Sequence, residues 1–275
     1  MTEYRSIELN VKIGCPIGCL YCPQDKFVKA NIDTKRLLSQ ENLEAIINNL
    51  TFGKQLAKVF FAGMSEPFSH EKCVDFIEYC SNHKYITNVI VFTTGYRLTD
   101  EKIQRLSKIK KLKMNFHVGE KEKMPNFDDK ILNKIDQIKK SIKNCDFINV
   151  GFEKNSKLEN HLQKIGVNLK FQPIISRSGN LEAVGDQTID KKFTNCAVTC
   201  PRVSNVKRPV ILPDGTALAC ANDYSCELTI GNLITSVWDD LDFDRIARLQ
   251  KIPCDLPCFR DCHLATKSRP EFKML

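Results

Sequence analysis

Residues 14–22 read GCPIGCLYC, and the chemistry assigned to the chain turns on this stretch. Cys15, Cys19 and Cys22 are separated by three and then two residues. They follow SIELNVKIG (6–14), a segment with the alternation of a β-strand. A structural zinc takes four ligands, commonly as two Cys-x2-Cys pairs. The next cysteine here, Cys73, lies inside a helical pattern. Three thiolates in one turn suit a catalytic zinc with an open fourth position. They also suit an iron–sulfur cubane in which one iron has no protein ligand and can bind a molecule from solution.

Working outward, further strand-like segments are LAKVFFAG (56–63), NVIVFTTG (88–95), LKMNFHVG (112–119), FINVGFE (147–153) and LKFQPIIS (169–176). Helical stretches fall at 39–50, 70–82, 99–108, 127–143 and 156–165. Such alternation predicts βα units and a parallel sheet. The period of two in a strand sorts side chains onto two faces. In the first strand Ile7, Leu9, Val11 and Ile13 oppose Glu8, Asn10 and Lys12. In the fourth, Leu112, Met114, Phe116 and Val118 oppose Lys113, Asn115 and His117; in the fifth, Ile148, Val150 and Phe152 oppose Asn149, Gly151 and Glu153. An open sheet covered by helices on both faces is apolar on both. One polar face in several strands predicts a partial barrel instead, with Asn10, Lys12, Asn115, His117, Asn149 and Glu153 lining a solvated lumen.

After residue 176 the alternation stops. RPVILPDGTALAC (208–220) reads as a hairpin turning at Asp214-Gly215, and GNLITSVWDDL (231–241) has helical periodicity in its second half. The expected division is 1–180 for the barrel and 181–275 for an extension.

The 275 residues are 42% apolar and 27% charged, ordinary values for a globular chain. Net charge is +8, with lysine runs such as KIKKLK (108–113) on amphipathic segments, read as solvated helix faces. No aromatic–basic interleaving points to nucleic acid. No run of 18 apolar residues points to a membrane, and MTEYRSIELN lacks the apolar core of a signal peptide. The expected location is the cytoplasm. Thirteen cysteines in that compartment are reduced thiols, and the clustered ones are metal ligands. Cys73, Cys80 and Cys145 stand apart from the clusters and read as small core residues.

CPIGCLYC resembles the Cys-x3-Cys-x2-Cys signature of the radical S-adenosylmethionine (SAM) enzymes. The resemblance implies a partial (β/α)6 TIM-like barrel and a [4Fe–4S] cluster on Cys15, Cys19 and Cys22, with SAM on its open iron. Tyr21 would lie against the adenine. GMSEP (63–67) is similar to the family's Gly-Gly-Glu-Pro motif, where Glu66 would receive the methionine ammonium and Gly63 would admit the ligand to the backbone. Thr93 and Thr94 of TTGY (93–96) and Arg177 are further expected cofactor contacts. His117, Asn115, Glu153 and Cys226 are the candidates for work on the substrate.

Seven cysteines follow residue 195, at 196, 200, 220, 226, 254, 258 and 262. With GTALAC (215–220) and the terminal CDLPCFRDCH (254–263), they resemble the SPASM/Twitch extensions that bind auxiliary [4Fe–4S] clusters. The resemblance implies one auxiliary cluster on Cys200, Cys220, Cys258 and Cys262, with Cys254 or Cys196 as alternates; a zinc ribbon is the competing reading. The compact length resembles the single-auxiliary-cluster enzymes that modify aminoglycosides. The expected reaction is oxidation or epimerisation at an alcohol carbon of a sugar or cyclitol, with an electron donor such as flavodoxin or ferredoxin. Maturation of a ribosomal peptide is the alternative substrate reading. A non-catalytic iron–sulfur or zinc scaffold is the alternative from another class.

Overall fold

The computed structural model describes residues 4–19, 22–31, 33–118, 129–150, 156–172, 178, 198–200, 208–249 and 266–267. Strands β1 (Arg5–Leu9), β2 (Ala57–Phe61), β3 (Ile86–Thr93), β4 (Leu112–Val118), β5 (Cys145–Val150) and β6 (Leu169–Gln172) pair in parallel, in chain order. Helices α1 (Gln24–Lys29), α2 (Gln40–Leu50), α3 (Cys73–Asn82), α4 (Asp100–Ser107), α5 (Asp129–Ser141) and α6 (Ser156–Lys164) fill the connections. The expected strands and helices therefore form, within a few residues. The six-residue α1 is too short for its period to be read from sequence. Helix starts follow local chemistry: Ser39 Oγ accepts from Asn42 N (3.1 Å) and Thr99 Oγ1 from Lys102 N (3.3 Å).

After β6 the chain extends the sheet at its opposite edge, beyond β1. A two-residue strand β7 (Val198–Thr199) pairs separately with β11 (Thr266–Lys267). Strands β8 (Val210–Ile211), β9 (Thr216–Leu218) and β10 (Thr229–Asn232) instead join the main sheet on the far side of β1, giving the order β10-β9-β8-β1-β2-β3-β4-β5-β6. β8 runs parallel to β1 and antiparallel to β9, so the expected hairpin at Asp214-Gly215 forms. The sheet ends on β10 and β6 without closing, as a partial barrel does.

The apolar face of the sheet and the helices make one core. Ile7 and Leu9, Val59 and Phe61, Val89 and Val91, Met114 and Phe116 meet Leu43, Ile46, Phe76, Ile77, Ile103, Ile135 and Leu158 from the helices. Ile211, Ile230, Leu233 and Trp238 belong to the same core. Polar ties reinforce this. Asn49 Nδ2 donates to Leu233 O (2.9 Å) and Ile234 O (3.0 Å), and the Arg5 guanidinium grips both carboxylate oxygens of Asp239 (2.8 and 2.9 Å). Cys73 and Cys80 are buried in this core and Cys145 packs on its edge, as their isolation in sequence implied. Among the described residues no helix is long and apolar enough to cross a membrane.

Three sequence expectations need correction. Ile13 does not share the face of Ile7, Leu9 and Val11. β1 ends at Leu9, the chain turns, and Ile13 enters a second cluster with Phe27, Met64, Val210, Leu212, Leu218 and Tyr224. In β5 the register aligns Phe147 with Phe116 and Asn149 with Val118. Directly paired residues point to the same side, so Asn149 lies on the helix-covered face and Ile148 on the inner face, the reverse of the hydropathy reading. Finally, GNLITSVWDDL holds a single 3-10 turn at Trp238–Asp240, and the helix α7 comes later, at Arg245–Leu249.

Gly215 turns the β8–β9 hairpin with φ +83°, and a Cβ there would lie 2.5 Å from Asn232 Oδ1 and 2.6 Å from Ile234 Cγ1. Gly215→Ala should therefore lower the unfolding free energy by about 1–3 kcal/mol, measured by denaturant titration. Gly53, where a Cβ would have nothing within 4 Å, is the control: its alanine variant carries only the positive-φ cost.

Candidate functional site

The ends of β1, β2 and β3 lie side by side and carry the three segments that the sequence singled out. After β1 comes the cysteine loop, closed on itself by Cys22 N donating to Cys19 O (3.0 Å). After β2 comes GMSEP, which begins at Gly63 with φ +93°, a conformation that side chains rarely adopt. β3 ends on Thr93, and Thr94 follows it.

Glu66 joins the last two. It is buried, and four donors surround its carboxylate. Thr93 Oγ1 (2.5 Å) and Phe68 N (3.3 Å) donate to Oε1; Thr94 N (2.9 Å) and Thr94 Oγ1 (3.0 Å) donate to Oε2. A carboxylate has about four lone-pair positions, so the chain itself occupies them. Burial still pushes the Glu66 carboxyl above its ordinary value, against the pull of these hydrogen bonds. Thr93 and Thr94, expected as cofactor contacts, act here as the clamp on Glu66.

Cys15 stands against this loop. Its sulfur receives the backbone N–H groups of Ile17 and Glu66, and burial pushes its thiol up to about 11, with Cys22 and Glu66 adding repulsion. A thiolate at that depth requires a compensating cation, and coordination to a metal deprotonates a thiol outright. Cys22 has polar neighbours on its sulfur: Gln24 Nε2 at 3.5 Å and the Tyr224 hydroxyl at 3.9 Å. Among the described residues no three His, Cys, Asp or Glu side chains converge as ligands of one ion, the geometry that a mononuclear zinc needs. The three thiols of a cubane bind three different irons and need not converge. The loop thus fits an iron–sulfur cluster in its donor set and in the hydrogen bonds reaching its sulfurs.

Sequence reasoning missed how the extension meets this loop. Tyr224 is buried against Phe27 of α1 (6.1 Å between rings, edge to face) and reaches Cys22. Its backbone turn is held by the buried Asp223, whose carboxylate accepts from Leu228 N (2.7 Å), Glu227 N (3.2 Å) and Ser225 Oγ (3.3 Å). Lys26 donates to Ser178 O, while Ser178 Oγ donates to Asn222 O (2.8 Å). The available signal was a tyrosine between Cys220 and Cys226, which reads as a spacer until packing is known.

Cys220 accepts from Asn222 N (3.5 Å). Cys226 accepts from Asn31 Nδ2 (3.7 Å), on the side of the loop that carries α1, and burial pushes its thiol up to about 12. Cys200 follows β7 and packs on the main core. Tyr21, Glu153, Arg177, Cys196, Cys254, Cys258 and Cys262 lie outside the described residues.

The inner face of the sheet is the second surface that the sequence singled out. Register places Glu8, Phe60, Ile90 and Lys113 in one row, and Phe92, Asn115 and Asp146 in the next. His117 comes above, edge-on to Phe92 at 5.6 Å. Asn10, just past β1, is buried and accepts from Ser65 Oγ (2.5 Å), and its Nδ2 has no hydrogen-bond partner among the described residues. The expected lumen is thus polar in part, and Phe60, Ile90, Phe92 and Ile148 make the rest of it apolar. Lys12 is drawn off by its bridge to Leu37 and stands near His70.

A model described as the Radical SAM superfamily matches residues 9–165, more than half of the chain. The chain belongs to the Radical SAM superfamily. No curated protein matches it. Among solved structures, BtrN in complex with AdoMet and 2-DOIA superposes with a TM-score of 0.60 at 17% identity, over 97% of this chain and 95% of BtrN. The anSMEcpe structure with bound AdoMet gives 0.63 at 14% identity, over 91% of this chain and 80% of that one. SuiB of Streptococcus suis, bound to precursor peptide SuiA, gives 0.61 at 12%, over 89% and 66%. At these identities the likeness establishes the fold. As a radical SAM enzyme the chain is expected to use a [4Fe–4S] cluster and SAM, for which the cysteine loop is the matching site.

Thr93→Val removes the shortest donor to Glu66. It should cost about 1–3 kcal/mol of unfolding free energy in a denaturant titration. Thr93→Ser, which keeps the hydroxyl, should recover most of the loss.

Proposed function

We propose that this radical SAM enzyme oxidises or epimerises an alcohol carbon of a sugar or cyclitol, with Cys15, Cys19 and Cys22 holding the cluster. When bound, cluster and SAM supply a 5′-deoxyadenosyl radical that removes a hydrogen atom from a C–H bond. The chain's residues hold and orient both partners and keep water out. Glu66 takes the methionine ammonium by giving up its longest hydrogen bond, from Phe68 N, to a stronger charged donor. Gly63, Thr93 and Thr94 shape that pocket, with Tyr21 at the adenine and Arg177 at a carboxylate. Asn115 and His117 face the substrate, and Glu153, outside the described residues, stays a candidate from sequence alone.

The observation supporting the sugar reading is the superposition on BtrN. The chain and BtrN cover one another almost completely, and BtrN is complexed with the small molecule 2-DOIA. The anSMEcpe fold also accepts AdoMet together with the Cp18Cys peptide, which keeps peptide maturation as the second reading.

Residues 181–275 are read as a SPASM/Twitch-like extension with one auxiliary [4Fe–4S] cluster on Cys200, Cys220, Cys258 and Cys262, or with Cys254 or Cys196 in place of one. Pairing of β7 with β11 favours this, because Cys200 directly follows β7 and Cys262 precedes Thr266 by only four residues in sequence. For an oxidation, a carbinol carbon that has lost a hydrogen atom must also lose one electron and its hydroxyl proton to become a carbonyl, and an auxiliary cluster held by these cysteines would be the acceptor of that electron. In epimerisation a thiol, with Cys226 as candidate, returns a hydrogen atom. A flavodoxin or ferredoxin supplies the reducing electron.

Anaerobically reconstituted, reduced protein should convert SAM to 5′-deoxyadenosine, read by chromatography. A protein that binds iron but never makes this product is a scaffold instead. Iron analysis should give about eight irons per chain, and the Cys15/Cys19/Cys22→Ala triple variant about half of that. A sugar deuterated at the oxidised carbon should pass deuterium into 5′-deoxyadenosine; stimulation by peptides alone would favour the second reading.

A further inference from the structure

We propose that the inner face of the sheet reads an oxyanion, and that Arg208 holds the carboxylate or phosphate of the substrate. This rests on the sugar or cyclitol reading above and adds to it the charge of the molecule taken.

Arg208 lies one residue before Pro209, whose carbonyl accepts from Glu8 N (2.9 Å) as β8 docks on β1. Its guanidinium stacks over the Phe60 ring at 4.5 Å, and its Nε donates to Glu8 Oε1 at 2.9 Å. Glu8 and Phe60 are paired in register and face inward, so Arg208 is held over the inner face. Only Nε is engaged; no hydrogen bond from either Nη is found among the described residues, and the side chain is 43% exposed while that of Glu8 is 10% exposed. A guanidinium fixed by one carboxylate and one ring presents its two remaining N–H edges as a fork. That geometry fits a carboxylate or phosphate and not a lone hydroxyl.

The surrounding charge agrees. Among the described residues, the inner face carries Lys58, Lys113, Lys170 and Arg208 against Glu8 and Asp146. Asp146 is already shared between Lys113 (3.0 Å) and Lys170 (2.8 Å), and they hold its carboxyl below the ordinary value. Glu8 is committed to Arg208. A net positive charge therefore remains inside a half-enclosed surface, where it attracts an anion more strongly than it would in water. Phe92, in the next row, offers flat apolar area for the C–H face of a ring. Asn115 and His117, on the neighbouring strand, are placed for hydroxyls.

The test uses anaerobically reconstituted holoenzyme and titration calorimetry with glucose 6-phosphate, glucuronate and glucose. We expect binding of at least one oxyanion-bearing sugar and none of glucose; which of the two binds separates phosphate from carboxylate. Arg208→Gln should weaken that binding roughly ten- to a hundredfold and leave the Kd for SAM unchanged. Should that variant fail to fold by thermal unfolding, Arg208→Lys, which keeps the charge but loses the fork, should weaken binding about tenfold. Equal binding of glucose, no binding of either charged sugar, undiminished binding by the variants, or loss of SAM affinity in them overturns the proposal. The last result would give the arginine to the cofactor's carboxylate. Failure of the underlying sugar reading would show separately, as 5′-deoxyadenosine formation stimulated by peptides and not by sugars in the unaltered protein.

Discussion

β1 is hydrogen-bonded along both edges, and the rest of the molecule is arranged around that. On one side it pairs with β2; on the other, Glu8 N donates to Pro209 O and Asn10 N to Ile211 O, which brings β8 in from two hundred residues away. A strand satisfied on both edges cannot fray, so the loop that leaves its end starts from a fixed point. That loop carries Cys15, Cys19 and Cys22. The same docking brings Arg208 over the inner face and Tyr224 against Cys22, so one set of backbone hydrogen bonds positions cysteine loop, inner face and extension together.

The strand ends are then joined by polar groups that are expensive to bury singly. Glu66 is tolerated without water because Thr93, Thr94 and Phe68 supply four donors, and removing one leaves a charge short of partners. The network fixes GMSEP against the end of β3 while Cys15 takes a hydrogen bond from Glu66 N. A ligand entering here meets a preorganised surface, which limits the ordering cost of binding.

The inner face shows why a hydropathy pattern is an incomplete guide to a lumen. Asn149 reads as polar and lumenal, yet register places it with Val118 on the helix side; Ile148 reads as core, yet it faces inward. A shift of one residue in register exchanges the two faces of a strand, and pairing with β4 decides the register. In β1 and β4 the pattern and the register agree, and Glu8, Asn115 and His117 do face inward. β5 lies nearer the open edge, where burial on one face constrains the sequence less.

By itself the sequence determined the alternation of strands and helices, the hairpin at Asp214-Gly215, the resemblance of the cysteine loop and GMSEP to one family's motifs, and the core role of Cys73 and Cys80. Each of these rests on spacing within a short window, which local geometry translates directly into structure. Only the tertiary structure decided that the chain returns to β1 through β8, that Thr93 and Thr94 clamp Glu66, that Tyr224 reaches Cys22, and that Arg208 stacks on Phe60 beside Glu8. These contacts join residues far apart in sequence, and no local period encodes which distant segment will satisfy a buried edge, a carboxylate or a ring.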